Sequence, residues 1–364
     1  MRIIFVNWHD WFHTKAGGAE IYLKELVQRL SAAGNEIMVV CSNSPGHPAQ
    51  ETLDGIRFIR LGNRYNFNFK YYRQAKKIIR EFSPDIIIDD QNKLPLLSPL
   101  FTDRPVICMI MHLFKKAIFR ESIFPIALGV YIAEKLIPRI YRNCQFTVLG
   151  QSGKNDIEGM GITPEHIHVI EPGVDLSNFL PAMTHDSYFL CLGRLRRYKS
   201  VDHIFIAMDL LRAEGIHTTL KVVGTGDDSA RLKKIARKLR LEDQVEFTGY
   251  VTNDRALELY QRAYAIIQPS RKEGWGLSVI EAGACQVPAI AADVEGLRDS
   301  VRHEQTGFLY EWGNIEQLSA AMKRLIQDVP LRERLAEGNL QWSARFTWDQ
   351  AAGKLIDLIS TFQK

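Results

Sequence analysis

A chain of 364 residues, 46% hydrophobic and 24% charged, has the make-up of an ordinary folded protein. It is longer than one hydrophobic core usually serves, so two domains of roughly 150 to 200 residues each are expected. A net charge of only +4 argues against a dedicated nucleic-acid binder, and the 5 cysteines, odd in number and scattered, argue against a disulfide scaffold or zinc site and for buried thiols in a reducing compartment.

Short β-branched runs alternate with amphipathic helical stretches, which predicts parallel sheets covered by helices on both faces. Arg2 to Asn7 reads as the first strand and not as a secretory leader, so a cytoplasmic protein is expected. A polar and aromatic loop follows, Trp8 to Ala16, before Gly17-Gly18-Ala19-Glu20 opens a helix that ends at Gly34. Paired glycines at a helix N-terminus either make a tight turn or let an anion lie against backbone N–H groups. The dinucleotide fingerprint Gly-x-Gly-x-x-Gly is absent, which weakens a hydride-transfer reading.

Strands are expected near Glu36 to Val40, Ile56 to Leu61 and Ile86 to Asp89. Between Gly55 and Arg80 stand 8 basic residues (Arg57, Arg60, Arg64, Lys70, Arg73, Lys76, Lys77, Arg80) and no acidic one, with Phe58, Tyr65, Phe67, Phe69, Tyr71 and Tyr72 interleaved. The stretch suits a nucleic acid, an anionic acceptor or a membrane surface as partner, or is a solvated helix face, the nucleic acid being disfavoured by the modest net charge. A second basic and apolar region supports the membrane option, with Phe114, Lys115, Lys116, Ile118, Phe119 and Arg120 leading into a helix that carries Lys135, Arg139 and Arg142. Its most apolar part, Ile123 to Ala133, is too short to span a bilayer. Strand Val106 to Ile110 ends at Met111-His112, and His166 to Ile170 runs into Glu171-Pro172-Gly173-Val174-Asp175 before a linker from Leu176 to Ser187.

The alternation restarts at strand Tyr188 to Leu192, followed by Gly193-Arg194-Leu195-Arg196-Arg197-Tyr198-Lys199-Ser200. An arginine with forked donors and a lysine acting as a point charge suit two linked phosphates. Strand Leu220 to Val223 ends at Gly224-Thr225-Gly226, and Val245 to Thr248 ends at Gly249-Tyr250-Val251. The most informative stretch follows strand Ala265 to Ile267: Glu273-Gly274-Trp275-Gly276-Leu277 leads into a helix carrying Glu281, 8 positions after Glu273. Glu273 then sits at a strand's carboxyl end, where open α/β sheets bind ligands, with a helix N-terminus beside it.

These motifs, in this order, resemble those of retaining glycosyltransferases with the GT-B fold, in particular glycosyltransferase family 4. Glu273-Gly-Trp-Gly-Leu through Glu281 resembles that family's Glu-x7-Glu signature, with Trp275 in place of the usual phenylalanine. Gly193-Arg-Leu-x-x-x-Lys-Ser resembles its Gly-Arg-Leu-x-x-x-Lys-Gly motif, with Ser200 replacing glycine, and Glu295-Gly296-Leu297 replaces Gly-Gly-Leu. The resemblance implies two Rossmann-like doubly wound parallel-sheet domains facing a central cleft, over residues 1–180 (acceptor) and 181–345 (donor), with a C-terminal helix at 346–364 crossing back to the first domain.

The resemblance also assigns roles. Arg194 and Lys199 are expected on the donor diphosphate, Glu273 on the sugar hydroxyls, Glu281 on the ribose and His112 near the sugar. Gly17, Gly18, Gly224, Tyr250, Val251, Gly274, Trp275, Gly276 and Leu277 are expected to line the donor, and Ser152 to cap its helix. The implied activity is retaining, metal-independent transfer from a nucleotide-diphosphate sugar, UDP-sugar favoured, with no cofactor and no nucleic acid. The implied acceptor is a glycan or lipid-linked hydroxyl used in envelope or exopolysaccharide synthesis, with the protein cytoplasmic or peripheral on the inner face of the plasma membrane. A sugar-nucleotide 2-epimerase shares the architecture but not this motif set. The reading from another class is a catalytically inactive nucleotide-sugar-binding scaffold.

Overall fold

The computed structural model describes residues 1–14, 16–91, 94–181 and 188–363, which fall into two compact units, Met1–Glu171 with Trp348–Lys364, and Pro172–Thr347. Residues 182–187 of the expected linker and Lys15 of the first loop lie outside the described residues.

In the first unit the strands are β1 (Arg2–Val6), β2 (Glu36–Cys41), β3 (Gln50–Leu53), β4 (Ile56–Arg60), β5 (Ile86–Gln91), β6 (Val106–Ile110), β7 (Gln145–Val148) and β8 (Ile167–Val169). They form one sheet in the order β3-β4-β2-β1-β5-β6-β7-β8, parallel except where β3 runs antiparallel to β4. The β3–β4 hairpin turns at Asp54-Gly55, both at positive φ (49° and 79°), the conformation that an Asp-Gly pair favours. Helices α1 (Gly18–Ala32), α2 (Phe67–Phe82), α3 (Ile118–Glu121), α4 (Phe124–Ile140) and α5 (Gln151–Glu158) join the strands. Ile3, Ile4 and Val6 of β1 and Ile86, Ile87 and Ile88 of β5 are fully buried, as continuous apolar strands covered on both faces must be.

The second unit repeats the plan with β9 (Tyr188–Leu192), β10 (Thr219–Val223), β11 (Val245–Gly249), β12 (Ala265–Gln268), β13 (Ala289–Ala292) and β14 (Gly307–Tyr310). The order β11-β10-β9-β12-β13-β14 is parallel throughout. Its helices are α6 (Asp202–Ala213), α7 (Ser229–Lys238), α8 (Asn253–Arg262), α9 (Leu277–Ala284), α10 (Leu297–Ser300), α11 (Ile315–Gln327) and α12 (Val329–Ser343). The final helix α13 (Trp348–Ser360) belongs to the first unit, where it packs on α1. Trp348 lies against Tyr22, whose hydroxyl donates to the Ile170 carbonyl at 2.9 Å, and Arg29 of α1 pairs with Asp349 at 2.6 Å.

Each sheet reverses its winding beside its first strand. After β1 the chain moves through β2 to β4 on one side and then returns to β5 on the other; after β9 it moves to β11 and returns to β12. Loops at the carboxyl ends of the two strands flanking such a reversal splay apart and leave a crevice where ligands bind.

Two expectations are corrected here. Ser152 lies within the first turn of α5, and Gly150 is its N-cap. The basic stretch is not one continuous exposed surface. Arg60 has no exposed side-chain area: its Nε donates to buried Asp10 at 2.7 Å and its guanidinium pairs with Glu51. Phe58, Phe67 and Tyr71 are core residues. The bases that do face solvent are Arg57 and, along one side of α2, Lys70, Arg73, Lys76, Lys77 and Arg80.

Candidate active site

The reversal between β9 and β12 brings together the two loops that the sequence singled out. β9 delivers residues 193–199 and β12, its hydrogen-bonded neighbour, delivers residues 269–276. The loops are tied through their main chains, the Arg271 N–H donating to the Tyr198 carbonyl at 2.8 Å. Gln268, at the end of β12, donates to the Leu192 carbonyl at 3.2 Å and to the Ser278 hydroxyl of α9. Across this frame the Lys199 ammonium donates to the Glu273 carboxylate. These charged groups, 74 residues apart in sequence, are both mostly covered. Burial alone would lower the Lys199 pKa, but the Glu273 charge and hydrogen bond, with Tyr198 nearby, more than offset it and hold the ammonium above its ordinary range.

The neighbouring loops fit by having no side chains. Gly224, at φ 121° after β10, lies so close to Gly193 that an added Cβ would stand 2.1 Å from the Gly193 carbonyl oxygen. Its N–H donates to the Gly249 carbonyl at 2.7 Å, which links the ends of β9, β10 and β11. Gly276, at φ 97°, turns the chain from the Glu273 loop into α9, and a Cβ there would meet Leu297 at 2.8 Å. The helix therefore starts directly beside the Lys199–Glu273 pair, with its N-terminal N–H groups at the loop.

Ser200 explains how the departure from glycine is accommodated. It adopts the left-handed conformation (φ 51°), is buried, and its hydroxyl accepts from the Trp312 indole at 3.2 Å. Trp312 also receives the Arg271 guanidinium over its ring at 5.0 Å. Sequence reasoning missed Arg271 and Trp312. Arg271 had a signal, a basic residue two positions before Glu273, whereas Trp312 is 112 residues from its hydroxyl partner and gave none.

Glu281, one turn into α9, accepts from the Tyr260 hydroxyl of α8 at 2.6 Å. Burial pushes its carboxyl up from the ordinary range, and the Tyr260 bond opposes that rise. Arg194 is exposed, Tyr250 is 81% exposed just after β11, and Val251 and Leu277 are half-buried. Trp275 differs from its neighbours. Its indole is buried edge-on against Phe346 at 5.1 Å, so this side chain supports the loop from behind.

In the first unit, His112 is exposed beyond the end of β6, its ring against Phe114 at 4.7 Å. Glu134 of α4 fixes this loop by accepting the N–H groups of Phe114 at 2.6 Å and Lys115 at 2.8 Å. At the N-terminus of α1 the Gly17 N–H donates to the Glu20 carboxylate at 2.7 Å. That N–H is thus taken by a carboxylate of its own helix.

The family described as Glycosyltransferase Family 4 matches residues 16–178, and that described as Glycosyl transferases group 1 matches residues 176–342. The chain belongs to the glycosyltransferases of the GT4-like type. D-inositol 3-phosphate glycosyltransferase 1 of Catenulispora acidiphila is 32% identical over 216 residues, 54% of this chain and 52% of that one. The D-inositol 3-phosphate glycosyltransferase of Streptomyces bingchenggensis is 32% identical over 219 residues, 54% of this chain and 48% of that one. The chain thus spans about half the length of the curated relatives it matches. Sucrose-phosphate synthase from Thermosynechococcus elongatus superposes with a TM-score of 0.84 at 21% identity, covering 99% of this chain and 98% of that one. Anabaena HepE in complex with UDP-glucose gives 0.80 at 17% identity, covering 99% and 100%. At these identities the likeness establishes the fold, which is GT-B.

Proposed function

We propose that this protein transfers a sugar from a nucleotide-diphosphate sugar, preferably a UDP-sugar, to a hydroxyl acceptor with retention at the anomeric carbon. The observation that carries this reading is the Lys199–Glu273 pair at the β9/β12 reversal, beside the N-terminus of α9. A sugar nucleotide offers complementary chemistry on both sides. Its diphosphate takes the ammonium, and its sugar hydroxyls take the carboxylate. The pair meets this demand by exchanging an internal contact for two ligand contacts, so neither charge is left bare.

In the proposed reaction the bond between the anomeric carbon and the diphosphate oxygen breaks, leaving an oxocarbenium-like carbon and a diphosphate that gains negative charge. Lys199, Arg194 and the α9 N–H groups stabilise that charge, which preorganised donors do without a metal. The acceptor oxygen forms its bond to the same face of the carbon, and its proton passes to the departing diphosphate. Glu273 holds sugar hydroxyls, Glu281 the ribose and His112 the transferred sugar. Arg271, held by Trp312, is added to the residues that shape the donor loop. The acceptor role, expected for 1–180, goes to the unit Met1–Glu171 with the returning helix from Trp348, and the donor role, expected for 181–345, to Pro172–Thr347.

We further propose a glycan or lipid-linked acceptor, envelope or exopolysaccharide synthesis as the setting, and a cytoplasmic protein attached to the inner face of the plasma membrane through the basic side of α2. Five buried free cysteines support a reducing compartment. Incubation with a panel of UDP-, GDP- and ADP-sugars, with and without EDTA, tests the core of the reading. Nucleoside diphosphate release from one donor, unchanged by EDTA and with an anomerically retained product by NMR, is expected. No release from any donor by folded protein would leave a binding scaffold.

A further inference from the structure

The helix α4 differs from an ordinary surface helix in carrying apolar residues on its outer face as well as its inner one. Its inner face buries Ala127, Val130, Glu134 and Ile137. Its outer face should be polar, yet Ile123 is 67% exposed, Phe124 68%, Ile126 54% and Ile132 50%, and Leu128 and Leu136 are also exposed. Phe124, Leu128, Ile132 and Leu136 follow one another at i, i+4 spacing, which lines them along one stripe. Exposed Phe119 extends it, its ring 6.0 Å from Phe124 and 5.7 Å from Tyr131. From Phe124 to Ala133 no residue carries a charge. A contiguous apolar surface of this kind marks a contact site and not incidental exposure.

The surroundings identify the partner. Lys116, Lys135, Arg139 and Arg142, all exposed, border the apolar stripe, and none of them pairs with a carboxylate among the described residues. On the same face of the eight-stranded sheet lies α2: Phe67, Tyr71, Ala75 and Phe82 of α2 share one buried cluster with Ile137 of α4 and with Cys108 and Ile110 of β6. The two helices therefore turn their outer sides away from the sheet in the same direction, one apolar and the other lined by Lys70, Arg73, Lys76, Lys77 and Arg80. Apolar side chains ringed by lysine and arginine suit the boundary between acyl chains and anionic headgroups. A second copy suits them poorly, because a twofold contact places the same basic rim against itself. The helix is 17 residues, about 26 Å, with buried Glu134 on its inner side, so it lies along a surface. Among the described residues no helix is long and apolar enough to cross a membrane.

We propose that the outer face of α4 inserts into an anionic lipid leaflet, with α2 supplying headgroup contacts beside it. Charge attracts the protein to the surface, and the Phe124–Leu136 stripe holds it there. Glu134 clamps the loop after β6 from the opposite side of the same helix, so the membrane-facing element and the His112 loop are mechanically one piece. The proposal deepens the membrane attachment proposed above, rests on it and adds α4 as the inserting element, but it does not depend on transfer: a chain without transfer activity would bind lipid equally well.

Co-sedimentation with vesicles of equal parts phosphatidylglycerol and phosphatidylcholine tests it. The wild type is expected to bind at low salt and to keep part of its binding in 0.5 M NaCl. The double variant Ile126→Asp, Ile132→Asp, with an unchanged melting temperature, is expected to lose at least tenfold in partitioning, and Lys135→Glu, Arg139→Glu to lose binding mainly at low salt. Because all 5 native cysteines are buried, Phe124→Cys carrying a polarity-sensitive dye gives an independent readout, and its emission is expected to shift to the blue on vesicles. The proposal is overturned if the wild type stays in the supernatant at low salt, if the aspartate variant binds within twofold of wild type, or if the dye does not shift. It is also overturned if light scattering shows a dimer that the aspartate variant turns into a monomer, for then a second copy covers the stripe.

Discussion

The two units fold on the same plan and spend their charged residues differently. At the β9/β12 reversal the second unit leaves Lys199 and Glu273 facing one another on loops, mostly covered but held by little besides each other and the glycine contacts behind them. The first unit seals its charges into the frame: Arg60 is locked between Asp10 and Glu51, and Asp89 takes hydrogen bonds from Ser98 and Tyr141. A pair on loops can change partners when a ligand arrives, whereas a pair in the core cannot without losing the fold. The contrast separates charges placed on loops from charges built into the frame.

Substitution on either side should therefore fail in different ways. Lys199→Ala or Glu273→Gln is expected to lower turnover by about 10²–10³ while the melting temperature changes little, and the double variant should fall well short of the product of the two losses. Initial rates beside thermal melts check this, and a large loss of stability would place the pair with the structural charges. Arg60→Ala should do the reverse. It strands a buried Asp10 carboxylate and is expected to cost about 3–5 kcal/mol in denaturant unfolding, since breaking one side of a buried pair leaves an uncompensated charge. Gly224→Ala tests the frame between these extremes. At φ 121°, with the Gly193 carbonyl in the way, the strain is expected to cost about 1–3 kcal/mol and to weaken donor binding with it.

How much of this was legible follows the same division. The loops after β9, β10 and β12 were readable because a loop at a strand's end needs particular residues at particular spacings, and Lys199, Gly224, Glu273 and Gly276 all satisfy such needs. The core charges were not. Arg60 looks like one base among eight, and only the fold shows Asp10 beside it, 50 residues away. The β3–β4 hairpin was missed although Asp54-Gly55 announces it, because the polar Gln50–Leu53 edge strand carries almost no apolar pattern. The stretch around Ile126 was read as too short to span a bilayer and as part of a basic and apolar region that favours a membrane, but a sequence does not say which side of a helix the sheet will cover, so the outward stripe was not foreseen.

The smallest expected effect concerns Asp89, whose carboxyl burial pushes up to about 6 against the hydrogen bonds from Ser98 and Tyr141. The folded state then binds a proton at higher pH than the unfolded chain, so this group adds stability as pH falls through about 6 and withdraws it as pH rises. Between pH 7 and pH 5 the wild type should gain about 1 kcal/mol relative to Asp89→Asn in urea unfolding. A flat difference would mean that Asp89 is ionised throughout.

The most direct test of the central claim is the melting temperature of the wild type and of Lys199→Ala in the presence of each nucleoside diphosphate, because a ligand that binds only the folded state raises it by mass action. One nucleoside diphosphate, expected to be UDP, should raise the wild type by several degrees and the variant far less. If every nucleoside diphosphate leaves the folded wild type unmoved, or moves both proteins equally, the Lys199–Glu273 pair is not a donor site.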